Sequence, residues 1–158
     1  MYIVPMNELT AYLLIGAPGS GKSTWGKNMS QVNPDVVRLC PDEFRAKFGT
    51  GENDQSVSDR AFGATRHGME QALKDGKSVL IDATNMYHKT RKDFLKIARQ
   101  YNAKTIAVVF ECDRETLIER NQKRGEEGGR LVPNDVIDNM LGRYQRPDTT
   151  EFDKVMFV

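Results

Sequence analysis

Residues 16–25 read GAPGSGKSTW, and the first eight fit the pattern G-x-x-x-x-G-K-[ST] from Gly16 to Ser23. The apolar run AYLLI precedes this stretch and a helix-forming segment follows it, so the loop joins a strand to a helix. Its glycines let the backbone N–H groups of residues 18–23 turn inward around an anion. The helix behind it aims a positive N-terminus at the same point. Gly16, Ala17, Pro18, Gly19, Ser20 and Gly21 are read as the wall of that concavity. Lys22 is read as the cation for the β- and γ-phosphates, Ser23 as a direct Mg²⁺ ligand and Thr24 as a contact to the α-phosphate. The expected ligand is ATP, or another nucleoside triphosphate, with Mg²⁺.

A strand-loop-helix unit of this kind belongs in an α/β fold, and the remaining chain supplies the units to complete one. Apolar runs at 11–17, 36–40, 78–84, 104–112 and 153–158 alternate with amphipathic segments. Helices are expected from Ser20 and Gly21 to about Met29, and over 42–48, 57–74, 88–101, 113–124 and 133–144. Such alternation implies a parallel sheet of about five strands with helices on both faces and right-handed crossovers. The expected fold is the three-layer P-loop NTPase fold, with a small arginine-rich lid over about 124–133. The 158 residues are expected to form a single domain over 1–158.

Composition narrows the function classes. With 39% hydrophobic and 28% charged residues the chain is an ordinary globular one. No apolar run reaches the roughly 20 residues of a membrane span, and the N-terminus lacks a signal-peptide pattern. Cys40 and Cys112 are far apart, each at the end of an expected strand, and read as small buried residues in a reducing, cytoplasmic setting. His67 and His88 form no metal or triad pattern and are read as surface or capping residues. A net charge of +1 gives no global support to nucleic acid as a partner, though local clusters can act alone.

Two fates are open to the γ-phosphoryl group: transfer to a substrate or release to water. No guanine-reading N-K-x-D segment is present, and motor ATPases use larger domains, so the pattern favours a small kinase. Acceptors bind at the carboxyl ends of parallel strands. There, Asp42 and Arg45 in CPDEFR lie three residues apart, on one helix face. Asp42 is read either as the base for an attacking hydroxyl or as a helix cap. Arg45 is read as a clamp on an acceptor phosphate or as a surface residue. In LIDATN, Asp82 is read as a metal carboxylate acting through water or as a turn residue, with Thr84 and Asn85 extending towards the acceptor. Arg120, Arg124 and Arg130 bracket GEEGG as catalytic arginines on a closing lid or as charges on a solvated loop. Lys89, Arg91, Lys92, Lys96 and Arg99 form a basic helix, suited to nucleic-acid phosphates or merely solvated. The residues alone leave the acceptor open. A metabolite kinase of sugars, nucleosides or drugs and a nucleotide-binding module without transfer both remain.

The set GAPGSGKSTW, DEFR, DATN and ERNQKR…RLVP resembles the kinase domain of polynucleotide 5′-hydroxyl kinases, which include the bacteriophage T4 enzyme and the bacterial polynucleotide kinase-phosphatase of RNA repair. The bacterial domain also has a segment very similar to ENDQSV (52–57), and the resemblance covers roughly residues 10–145. It implies ATP-dependent phosphorylation of a 5′-OH nucleic-acid end, RNA or DNA, in the bacterial cytosol or a phage-infected host. Asp42 becomes the general base, Arg45 the ligand of the phosphate beside the 5′ end, and Arg120 and Arg130 the lid arginines, with Arg124 a second candidate. GEEGGR is longer than the family's segment, and Pro41 stands where the family has Ser, Asn or Arg. Relatives carry phosphatase or ligase modules that this sequence does not encode.

Overall fold

The computed structural model describes residues 8–51 and 54–158. Five strands form one sheet: β1 (Thr10–Ile15), β2 (Val36–Leu39), β3 (Ser78–Ile81), β4 (Lys104–Val109) and β5 (Lys154–Phe157). All neighbours run parallel, in the order β2-β3-β1-β4-β5. Six helices surround it: α1 (Lys22–Val32), α2 (Pro41–Phe48), α3 (Ser58–Lys74), α4 (His88–Gln100), α5 (Arg114–Glu126) and α6 (Asn134–Arg143), with a 3₁₀ turn at Gln55–Val57 before α3.

Every residue of β1 is buried because the strand is central and covered on both faces. Ala11, Leu13 and Ile15 pack with α3 and α4 through Met69, Leu73, Phe94 and Leu95. Tyr12 and Leu14 point the other way, to α1 through Met29, with Trp25 packed edge-on to Phe110 at 6.0 Å and 72°. A third cluster of Ala17, Met86, Leu117, Val132 and Ile137 ties α5 and α6 to the start of the phosphate loop. This is the P-loop NTPase three-layer fold expected from the alternation of elements.

Several boundaries differ, for identifiable reasons. β4 stops at Val109, not Cys112, because its neighbour β1 turns into the phosphate loop after Ile15, the residue paired with Val109. Cys112 therefore lies outside the sheet, whereas Cys40 stands between β2 and α2. β3 ends at Ile81, and the backbone beyond it pairs with the loop instead: Gly16 N–H donates to Thr84 O at 2.9 Å. α1 continues to Val32 and α5 to Glu126, each a partial turn past the expected stop. Among the described residues no helix is long and apolar enough to cross a membrane.

Candidate active site

The phosphate loop runs from the end of β1 into α1. Gly19 and Gly21 take φ of 88° and 97°, the left-handed region in which a side chain is strained. A Cβ at Gly19 would also come within 2.6 Å of the Asn121 amide. That amide, buried on α5, donates to Pro18 O and, at 2.9 Å, to Leu117 O. Arg120 Nη1 donates to Gly19 O at 3.2 Å, so α5 braces the loop's outer edge. Lys22 is buried at the first position of α1. Burial draws its ammonium pKa below the ordinary value, and the Asp82 and Asp42 carboxylates oppose that shift.

Ser23 Oγ donates to Asp82 Oδ1 at 3.3 Å. Asp82, 2% exposed at the end of β3, has its other oxygen taken up by Arg38 of β2, whose Nε and Nη2 donate to Oδ2 at 3.0 and 2.6 Å. Arg38 Nη1 continues to Glu43 Oε1 at 2.7 Å. Burial works against this guanidinium's charge, but the Glu43 and Asp82 carboxylates prevail and its pKa is raised. The oxygens of Ser23 and Asp82 suit Mg²⁺, which takes few protein ligands and completes its shell with water and phosphate. Among the described residues no group of three or more His, Cys, Asp or Glu side chains is placed to hold a metal.

Across the cleft, α2 presents Asp42 and Arg45. Pro41 at its first turn and Asp42 and Glu43 behind it are favourable start chemistry. Arg45 is buried, with Nη1 on Asp42 Oδ1 and Nε donating to Ser58 Oγ at 3.1 Å. Ser58 Oγ donates in turn to Gln55 Oε1 at 3.1 Å. From the lid, Arg130 Nη1 reaches Asp42 Oδ1 and Oδ2 at 3.1 and 3.3 Å. These groups enclose a cavity of about 170 Å³, lined by Lys22, Ser23, Asp42, Arg45, Asp82, Thr84, Arg124 and Arg130, with Gln55, Phe62 and Met140 among the others.

The expected residues therefore converge, with three differences. Asn85 does not line this cavity: it is buried at φ 47°, and its Nδ2 donates to Leu14 O of β1 at 2.9 Å, tying the segment after β3 to the central strand. Arg120 lies on the outer flank of the phosphate loop, whereas Arg124 and Arg130 face the cavity. Arg124 belongs to the last turns of α5, which runs to Glu126, so the loop expected over 124–133 begins only after that helix. Ser23 is half-buried and Thr24 exposed on α1.

The basic helix loses a member. Arg91 is completely buried, with Nε and Nη2 on the two oxygens of Glu151 at 2.8 and 2.9 Å and Nη1 on Asn85 O at 2.8 Å. Arg99 donates to Glu151 O, while Lys89, Lys92 and Lys96 are exposed. His88 is an exposed residue of the first turn of α4, beside Glu151 at 3.2 Å, and His67 is exposed on α3.

Sequence reading missed Arg38, Gln55, Phe62 and Met140. Arg38 had a signal, a lone charge inside the strand VVRLC. Gln55 lies in ENDQSV, of which Glu52 and Asn53 fall outside the described residues. Asp54 shapes the rest of that segment by accepting from the Ser56 and Thr50 N–H groups, each at 3.0 Å.

A family model described as an AAA domain matches residues 12–147. The chain is 29% identical over 141 residues to the L-seryl-tRNA(Sec) kinase of Methanococcus maripaludis, covering 87% of this chain and 53% of that protein. It is 33% identical over 153 residues to transcription factor bHLH140 of Arabidopsis thaliana, covering 92% of this chain and 15% of that one. A chain in the solved Pnkp1/Rnl/Hen1 RNA repair complex superposes with a TM-score of 0.76 at 29% identity, over 87% of this chain and 44% of that one. The chain thus spans about half or less of the length of these relatives.

Proposed function

The chain belongs to the AAA domain family, whose match spans its phosphate loop, cleft and lid, and from that premise we propose that it is an ATP-dependent kinase of polynucleotide 5′-hydroxyl ends. One observation carries this reading: Asp42 and Arg45 face Lys22 across a single cavity, with Arg130 reaching in from the lid. A carboxylate opposite the phosphate loop can take a hydroxyl proton, and a buried arginine one turn away can hold a phosphate beside that hydroxyl. The likeness to a chain of an RNA repair complex supports a nucleic-acid acceptor.

In the proposed reaction the 5′-oxygen attacks the γ-phosphorus as its proton passes to Asp42. A new P–O bond forms, the bond to the β–γ bridging oxygen breaks, and ADP leaves. Lys22 and the backbone N–H groups of the loop hold the donor phosphates, while Arg124 and Arg130 meet the charge that develops on the transferred group. Ser23 and Asp82 would hold Mg²⁺, whose chemistry there is to neutralise and align the donor phosphates. Phe62 and Met140 give the cleft an apolar margin that limits water, the competing acceptor.

A second reading keeps the same machinery and changes the alcohol. The 29% identity to L-seryl-tRNA(Sec) kinase favours a hydroxyl carried on an aminoacylated RNA, and a small metabolite would also meet Asp42. Incubation with γ-labelled ATP and a 5′-OH oligonucleotide, a seryl-RNA, a metabolite panel or no acceptor separates these cases. Label on the oligonucleotide, abolished by prior 5′-phosphorylation, is the expected result. Label confined to another acceptor overturns the polynucleotide reading, and label on none overturns transfer.

A further inference from the structure

Arg38 joins three parts of the cleft that no sequence motif connects. Its guanidinium spends two nitrogens on one oxygen of Asp82 and the third on Glu43, the residue after Asp42 on α2. The side chain is only 11% exposed, and that of Asp82 only 1%. Strand pairing does not depend on this contact. Arg38 is already in register with Leu80, and the Asp82 N–H is bonded to Leu39 O at 2.9 Å. The ion pair therefore fixes a side-chain orientation more than a backbone.

We propose that Arg38 is a positioning residue of the donor site: it occupies Oδ2 of Asp82, leaves Oδ1 turned towards Ser23 and the phosphate loop, and through Glu43 sets the stance of the helix that carries Asp42. This rests on the reading above in which Lys22, Ser23 and Asp82 form the donor site. A fork of fixed donors can impose such an orientation, and a lysine ammonium, a point charge on a flexible stem, cannot. The pairing has an electrostatic consequence as well. Without nucleotide, the single charge of Asp82 lies between Arg38 and Lys22 and is already balanced. A divalent cation is then retained only when the donor's own phosphates add negative charge.

The test uses the full chain, Mn²⁺ as a spin probe with and without ADP, and the Mg²⁺ dependence of phosphoryl transfer. Wild type is expected to retain Mn²⁺ only with ADP. Arg38→Met should lower turnover by roughly 10- to 100-fold, as removal of an outer-shell partner does, and, with the Asp82 charge no longer balanced, should lower the half-saturating Mg²⁺ and retain some Mn²⁺ without ADP. Arg38→Lys should return the Mn²⁺ behaviour to that of wild type, since charge is restored, yet leave turnover low, since the fork is not. In an Asp82→Asn background, Arg38→Met should add no further shift in Mg²⁺ dependence.

Wild-type metal dependence and turnover in Arg38→Met overturns the proposal, as does an equal shift in the Asp82→Asn background. Should Arg38→Met fail to fold, wild-type turnover in Arg38→Lys overturns it alone. A wild-type chain that retains Mn²⁺ no better with ADP than without overturns the donor-site reading, and the role of Arg38 with it.

Discussion

Exchange of Asp42 for Asn removes a proton acceptor while keeping the side chain's size, so it isolates the chemical step. Asp42→Asn should lower transfer to a 5′-OH oligonucleotide by roughly 10²- to 10⁴-fold and leave ADP binding at the wild-type level, measured by calorimetry. Arg45→Ala loses the buried guanidinium that aims Asp42 and should raise the oligonucleotide KM more than the ATP KM. Lys22, Ser23, Asp42 and Arg45 were legible in the sequence because each sits in a short local pattern with a mechanical reason for its spacing. Arg38 showed only as a lone charge in a strand, because its partner Asp82 lies 44 residues on, and the place of Gln55 in the cavity depends on elements that only folding brings near. Arg91 was misread for the same cause. Helical periodicity shows that it lies among cations, but not that Glu151, sixty residues on, is waiting for it.

Among the elements, the 3₁₀ turn ahead of α3 is held to Thr50 by the Asp54 carboxylate. Hydrogen bonds from Ser56 and Thr50 hold the Asp54 carboxyl below its ordinary pKa. A depressed carboxylate contributes stability above its unfolded pKa and loses it as pH falls through the folded value. The Gln55 turn should therefore hold near neutral pH and loosen in acid, from about pH 4 downwards. Hydrogen exchange at the Thr50 and Ser56 amides would follow this, and Asp54→Asn should remove the acid step. Between α5 and α6, Arg130 crosses the cleft to Asp42. Arg130→Ala frees Asp42 of its cross-cleft partner and should reduce turnover by roughly 10²- to 10³-fold, with little change in thermal stability. The lid's glycines were visible in the sequence. The run of α5 past Arg124 was not, because a helix interior tolerates one glycine when packing favours continuation.

For the whole molecule, the alternation of strands and helices was enough to anticipate a parallel sheet with both faces covered, but the order β2-β3-β1-β4-β5 came only with the coordinates. The pair Arg91–Glu151 ties α4 to the segment ahead of β5, and through Asn85 to the end of β3. Arg91→Met strands a largely buried carboxylate, a loss of about 3–5 kcal/mol, and should lower Tm by roughly 10 °C in a chain of this size. In the other direction, ADP at 100 times its Kd should add about 2.7 kcal/mol, seen as a rise in Tm. Trp25 is the chain's single tryptophan, one residue beyond Thr24 on α1 and edge-on to Phe110, whose N–H bonds Ile15 O at the mouth of the phosphate loop. The protein thus carries its own optical reporter. Its tryptophan emission belongs to one indole, two residues past Ser23 on α1, so nucleotide bound at the phosphate loop should register as a change in that emission without any label.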